Sequence, residues 1–265
     1  MSEHAVIEQM RTALNIELRE CVTKHFSSLP MEFKTMVDYQ MGLEGDSTSQ
    51  GKRVRPLILL SACHAVGVDW HFALPAAASI ELVHNFSLVH DDIQDHSETR
   101  RGKPTIWVKW GEAQAINLGD AILALADLEV LNLPYDAETV LACTRSIQSA
   151  IFSLTQGQYL DLANESIERI SIADYWTMVA GKTGALFSAC FEIAARLAGN
   201  TPEEPQNYAE LGLLLGRVFQ VQDDYLGIWG NDLLTGKSSD SDISSRKKTF
   251  PILYALENLP EFQDR

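Results

Sequence analysis

The chain has 265 residues, 46% of them hydrophobic, which is enough to bury a sizeable core in one or two domains. Its 36 acidic side chains against 21 basic ones leave a net charge of -15, which argues against a nucleic-acid or anionic-membrane surface and points to a small-molecule partner. Cys21, Cys63, Cys143 and Cys190 are widely spaced without a C-x-x-C pair, and no apolar run reaches spanning length, so the expectation is a cytoplasmic protein with reduced core thiols and no stable membrane insertion.

In chain order the apolar residues recur with a helical period and no stretch alternates as a strand would, so an all-α fold is expected. The predicted helices lie at about 4–26, 54–67, 72–93, 111–132, 137–164, 172–198, 206–228 and 248–258. Turn-forming residues gather between them, as EGDSTSQG at 44–51, HSETRRGKPT at 96–105, NLPYD at 132–136, GNTPEEP at 199–205 and WGNDLLTGKSSDSD at 229–242. With no internal repeat, low-complexity tract or linker, these helices are expected to form a single bundle over residues 1–265.

Positive charge is scarce yet concentrated: nine of the 21 basic residues fall in three clusters, Lys52, Arg53 and Arg55; Arg100, Arg101 and Lys103; Arg246, Lys247 and Lys248. Such clusters in an acidic chain suggest local anion sites. The second follows directly on LVHDDIQDHSET at 88–99, where Asp91, Asp92 and Asp95 end the 72–93 helix. Asp91 and Asp95 are i, i+4 neighbours, and carboxylates gathered so closely repel one another unless a cation intervenes. Hard oxygen ligands favour Mg²⁺, which is commonly held by one or two carboxylates together with substrate phosphate oxygens. Arg100 and Arg101 beside that edge suit the phosphates, because a guanidinium fork matches phosphate oxygens bidentately. The plain alternative is a capped helix end with solvated charges.

A second pair, Asp223 and Asp224 in GRVFQVQDDYLGIWGND at 216–232, ends another apolar helix, with Gln220 one turn earlier. If both aspartate-tipped helices line the same cavity, they could face one another across a metal-bridged diphosphate.

Six stretches in order carry a resemblance: GKRVRP at 51–56, ELVHNFSLVHDDIQDHSETRRGKPT at 81–105, GQYLDL at 157–162, GKTGALFSAC at 181–190, FQVQDDYLGIWG at 219–230 and TGK at 235–237. Together they make the chain similar to the trans-isoprenyl diphosphate synthases, or all-trans polyprenyl synthases, over nearly its whole length. The resemblance implies an all-α bundle with an elongated central cavity, usually a homodimer, that uses Mg²⁺ to join an allylic diphosphate to isopentenyl diphosphate. It assigns Asp91, Asp92 and Asp95 of the DDxxD motif, and Asp223 and Asp224 of the second motif, to magnesium on the allylic diphosphate. It gives Arg100, Lys182 and Lys237 to that same diphosphate, and Lys52, Arg55, His84 and Arg101 to the isopentenyl diphosphate pocket. Gln220 falls near the metal, Thr183 near the reacting carbons, and Gln158 and Asp161 behind them. Without the family, His84 inside its apolar run would more often be a core histidine.

Product length in such a cavity depends on how far the tail grows below the aspartates before it meets a bulky side chain. Ser87 lies one turn below Asp91 and Val83 two turns below, both small, while Phe86 stands beside that row. An aromatic at 86, a small residue at 87 and no insertion within DDxxD resemble the geranylgeranyl-producing members, which implies a twenty-carbon product over the fifteen-carbon farnesyl one. Three departures from the family's pattern stand out. Gly227 occupies the place of a frequent third aspartate and Asn231 that of another acidic residue; GKSSDSD lacks a glycine near Asp240; and the chain ends soon after PILYAL, where members usually continue. The expectation is therefore a domain that lacks its C-terminal helices or has an unusually short tail. Two readings from other classes are a class I terpene cyclase, which has no use for an isopentenyl pocket, and a non-catalytic synthase subunit, which would typically have lost the first aspartate motif.

Overall fold

The computed structural model describes residues 3–43, 51–199, 204–230 and 247–259. They are almost wholly helical: α1 Glu3–Phe26, α2 Met31–Met41, α3 Val54–Ala65, α4 Leu74–Gln94, α5 Ile106–Trp110, α6 Glu112–Val130, α7 Ala137–Glu165, α8 Ile172–Val179, α9 Ala185–Leu197, α10 Glu204–Trp229 and α11 Phe250–Asn258. The sheet found among the described residues is a two-stranded antiparallel hairpin, β1 Thr99–Arg100 with β2 Lys103–Pro104. The chain divides into two compact units, Met1–Ile147 with Cys190–Asn207, and Gln148–Ala189 with Tyr208–Arg265.

Besides the short α5, which falls between the predicted turn at 96–105 and the predicted helix at 111–132, three local features differ from the predicted elements. α2 lies outside the predicted helices, because its 11 residues make only about three turns, too short a stretch for a period to stand out. A helix that short is marginal alone, and it forms here by burying Met36, Val37 and Met41. Gly42 ends it in the left-handed conformation, its N–H bonding back to the carbonyls of Asp38 and Tyr39. Second, part of the stretch predicted as a turn at 96–105 is the hairpin, turned by Arg101 (φ 54°) and Gly102 (φ 72°). A two-residue hairpin turn with two positive φ values matches strand twist, at the cost of holding an arginine in a strained conformation. Third, the helix predicted over 172–198 runs through continuously but takes a π-helical turn at Ala180–Gly184, between α8 and α9.

In the first unit α4 packs most extensively on α6. Ala76, Ala77 and Ala78 keep its first turns thin, and Ser79 Oγ donates to the Ala126 carbonyl at 2.8 Å. A buried ion pair crosses from the 51–53 segment to α4: Arg53 NH1 donates to Glu81 Oε1 at 2.6 Å, and Arg53 NH2 to the Met41 carbonyl at 2.6 Å. The middle cation of GKRVRP is therefore consumed inside the protein.

In the second unit Ile170, Tyr175, Val179 and Leu253 form a core joined by Trp176, Met178 and Phe250. Ser171 begins α8 with a reciprocal capping box to Asp174. Lys248 Nζ donates to the Asn164 and Glu165 carbonyls, placing a cation at the negative end of α7. Two glycines let α7 touch the π-turn. A Cβ on Gly157 would lie 2.0 Å from the Lys182 backbone nitrogen, and one on Gly181 would lie 2.6 Å from the Ser153 carbonyl oxygen.

Two apolar stretches, Trp70–Gln94 and Ile172–Leu197, do have the length and composition of a membrane span, contrary to the sequence expectation. In them, 78% and 67% of the most apolar window is buried within the protein, as in core helices.

Candidate active site

α4 ends on acids with no base in its last turn. Carboxylates there face the negative end of the helix dipole, where cations are favoured, so the arrangement calls for positive charge from elsewhere. The hairpin supplies it. Arg100 Nε and NH2 grip Asp92 Oδ1 at 2.8 and 2.7 Å, while Asp92 itself is 2% exposed. Burial pushes the Asp92 carboxyl above its ordinary value and the Arg100 guanidinium pulls it back. Asp95 caps the helix and is exposed, with Asp91 half-buried one turn before it. A cavity of about 170 Å³ opens here, lined by Asp92, Arg100, Arg101 and Lys103 together with Tyr39 and Gln40 of α2.

The GKRVRP segment lies beside the hairpin turn, with the Arg101 guanidinium directly over Gly51. Lys52 projects into solvent, and its carbonyl is held by Arg11 NH1 at 2.8 Å. Arg55 NH1 lies 3.4 Å from His84 Nε2. Burial first, and then the nearby arginines led by Arg55, push His84 well below its ordinary value, so it is neutral at pH 7. Since a guanidinium can only donate, Nε2 accepts and the proton resides on Nδ1. Lys52, Arg55, His84, Arg100 and Arg101 thus belong to one unit, in which Arg55, Arg101 and Arg100, with Arg53, surround the neutral His84 while Lys52 points to solvent.

Deeper along α4, Phe86 is buried with its ring edge-on to His90, centroids 5.7 Å apart. His90 in turn fills the space over Gly119, where a Cβ would lie 2.2 Å from its Nε2. Ser87 is also buried and turns its hydroxyl back to the His84 carbonyl at 2.9 Å.

In the second unit Gln220 and, through it, Thr183 are tied to Asp224, which is 4% exposed, whereas Asp223 is exposed. Asp224 accepts from Tyr175 Oη at 2.6 Å, from the Phe250 N–H at 2.8 Å and from Gln220 Nε2 at 2.8 Å. Burial raises its carboxyl, against the pull of those donors. Gln220 Oε1 accepts from Thr183 Oγ1 at 2.6 Å. Lys182, presented by the π-turn, pairs with Asp161 at 2.5 Å, one turn after Gly157 on α7. π-turns of this kind recur at functional sites because they re-aim side chains without ending the helix. Gln158 is buried beside Asp161 in sequence, and Gly227 lies in α10 one turn past Asp223. Lys237, Asn231 and Asp240 lie outside the described residues.

Nothing in the sequence singles out Tyr175 or Arg53. Tyr175 looked like one more core aromatic, and Arg53 like one of three equivalent cations; only the carboxylate each one meets distinguishes it.

Residues 40–265 match the family model described as polyprenyl synthetase. The chain belongs to the polyprenyl synthetase family. It is 42% identical over 233 residues to a (2E,6E)-farnesyl diphosphate synthase of Mycobacterium bovis, covering 86% of this chain and 64% of that protein. A geranylgeranyl diphosphate synthase of Mycobacterium tuberculosis is 35% identical over 262 residues, covering 97% of this chain and 73% of the relative. Among solved structures, a polyprenyl synthetase from Streptomyces coelicolor superposes with a TM-score of 0.86 at 36% identity, covering 97% of this chain and 75% of that one. The chain therefore spans 64% of the length of the farnesyl synthase and about three quarters of the other two.

Among the described residues, no group of three or more His, Cys, Asp or Glu side chains could hold a metal unaided. The donor chemistry still fits magnesium. Asp91 and Asp95 offer hard oxygens one turn apart, and Mg²⁺ ordinarily takes only one or two carboxylates and fills its remaining positions with water and substrate phosphate.

Proposed function

We propose that the protein is a trans-prenyltransferase that condenses isopentenyl diphosphate with an allylic diphosphate. The observation that carries this reading is the end of α4, where three aspartates meet two arginines of a strained hairpin beside a cavity. Asp91, Asp92 and Asp95, with Asp223 and Asp224, would hold Mg²⁺ on the allylic diphosphate. Bound magnesium would supply positive charge to the departing diphosphate oxygens. Arg100, Lys182 and Lys237 add to that charge, so the allylic C–O bond breaks with its electron pair leaving on the diphosphate. Lys52, Arg55, Arg101 and neutral His84 orient the second diphosphate, and the isopentenyl double bond forms the new C–C bond to the allylic carbon. Loss of a proton to the released diphosphate restores a double bond.

We assign geranylgeranyl diphosphate as the product, on Phe86 and Ser87 below the first motif. A farnesyl product is the second reading, favoured by the higher identity to the farnesyl synthase. A homodimer belongs to the same proposal, supported by exposed Ile116 and Leu128 on α6 and exposed Leu131 at its C-cap. The test is incubation with Mg²⁺, isopentenyl diphosphate and each allylic primer, followed by chromatography of the dephosphorylated products. Linear alcohols support the reading, twenty-carbon ones the product assignment; cyclic hydrocarbons would indicate a terpene cyclase, and no product a non-catalytic subunit. Asp92→Asn and Arg100→Ala are each expected to lower turnover about a hundredfold with the helical fold intact.

A further inference from the structure

Asp224 is the point where three helices of the second unit meet. Its Oδ2 accepts from Tyr175 of α8 and from the first N–H of α11, while its Oδ1 accepts from Gln220 one turn earlier on α10. A carboxylate only accepts, and that fixes the direction of every bond that follows. Gln220 has to turn its NH₂ toward Asp224, which leaves its Oε1 facing Thr183. Thr183 Oγ1 donates its one proton to that oxygen at 2.6 Å. Its remaining capacity is lone pairs alone. A hydroxyl so polarised favours positive charge beside it, and a preorganised dipole in a site shielded from water is worth far more than the same dipole in solvent.

Tyr175 is the member of this chain that no motif contains. It is 1% exposed, packed by Trp176 and Phe250, and its phenol is pushed far above its ordinary value by burial and then by Asp224, so it stays a donor throughout the working pH range. Without its hydroxyl, Oδ2 would keep only the Phe250 N–H and the carboxylate could rotate, loosening the amide of Gln220.

We propose that Tyr175 is a positioning residue for prenyl transfer: by fixing Asp224 it sets the Gln220 amide, and through it the polarity of the Thr183 hydroxyl toward the cation that forms when the allylic bond breaks. This rests on the reaction proposed above. Tyr175→Phe keeps the ring and removes only the bond. It is expected to lower kcat about tenfold while KM for both diphosphates changes less than about twofold, the signature of an interaction used in the transition state rather than in binding. In a Thr183→Val background the same substitution is expected to cause no further loss, because the chain it acts through has gone. Thermal unfolding of the four proteins in chelator reads the chain with no turnover involved, and the two single shifts in Tm are expected to be non-additive. Additive losses of kcat, or an effect confined to KM, would overturn the positioning role. If the unsubstituted protein transfers no prenyl group, the proposed function fails and the thermal cycle alone decides: additive Tm shifts would then overturn the hydrogen-bond chain itself.

Discussion

The guanidinium of Arg101 rests on the backbone of Gly51, so that a Cβ at position 51 would come within 2.7 to 2.9 Å of its NH1, CZ and NH2. Both residues hold positive φ, 54° and 71°, and the hairpin turn meets the GKRVRP segment through two left-handed backbones. Gly51→Ala adds strain at one of them and displaces the cation on the other. Affinity for inorganic pyrophosphate is expected to fall about 10- to 100-fold, the size of one charge-assisted contact, as read by titration calorimetry. Unchanged affinity would mean that Arg101 does not bind the anion from this position.

Arg53 and Glu81 are 1% and 3% exposed at their side chains, and Asn85 Nδ2 also donates to Glu81 at 2.9 Å. Glu81→Gln leaves a buried guanidinium without its counter-charge and is expected to cost about 3–5 kcal/mol in urea unfolding. The double substitution Arg53→Met with Glu81→Leu is expected to recover more than half of that loss, because a packed apolar pair avoids the desolvation of two charges. A double variant no more stable than Glu81→Gln would show that the pair's charges are not coupled.

Glu17 on α1 lies near Glu129 of α6, and its carboxyl is pushed up to about 7 by burial first and by the Glu129 side chain second. Its ordinary value is 4.5, so between 4.5 and about 7 the folded protein binds more protons at this site than the unfolded chain does. Stability from this group is therefore greatest at acidic pH, declines as pH rises through that window and is level above it. Glu17→Gln is expected to flatten the decline and raise Tm at roughly pH 8 while changing little at about pH 5. Circular dichroism melts at the two pH values check it, and an equal pH dependence in both proteins would assign the effect to other groups.

Phe86 packs on His90, which in turn fills the space over Gly119, so the aromatic is backed by a second ring. If it is the floor under the growing chain, Phe86→Ala is expected to shift products to longer chains and Ser87→Phe to fifteen carbons or fewer, read by chromatography of the alcohols. Both variants leave the aspartates intact. Unchanged product profiles from two active variants would move the floor to another helix, and a fifteen-carbon product from the unsubstituted protein would refute the length assignment.

Helical class, most helix positions and the two aspartate-bearing helices were legible in the sequence because each rests on local periodicity: apolar residues at helical spacing declare a buried face whatever it packs against. The DDxxD stretch was legible for a related reason, since acids crowded at a helix end with arginines following announce a cation and an anion without reference to the rest of the chain. What the tertiary structure decided are the differences among residues that look alike in one dimension. Arg53 and Arg55 are two positions apart, yet one is spent on Glu81 and the other reaches His84. Asp223 and Asp224 are adjacent, yet only the second is buried under three donors. The π-turn in the 172–198 helix has no signal of its own, because glycine at 157 and 181 is read as weak helix until α7 and the π-turn are seen to touch there. Local pattern fixes which face of a helix is apolar, whereas the partner of a charge is set by residues distant in sequence and brought near only when the helices pack.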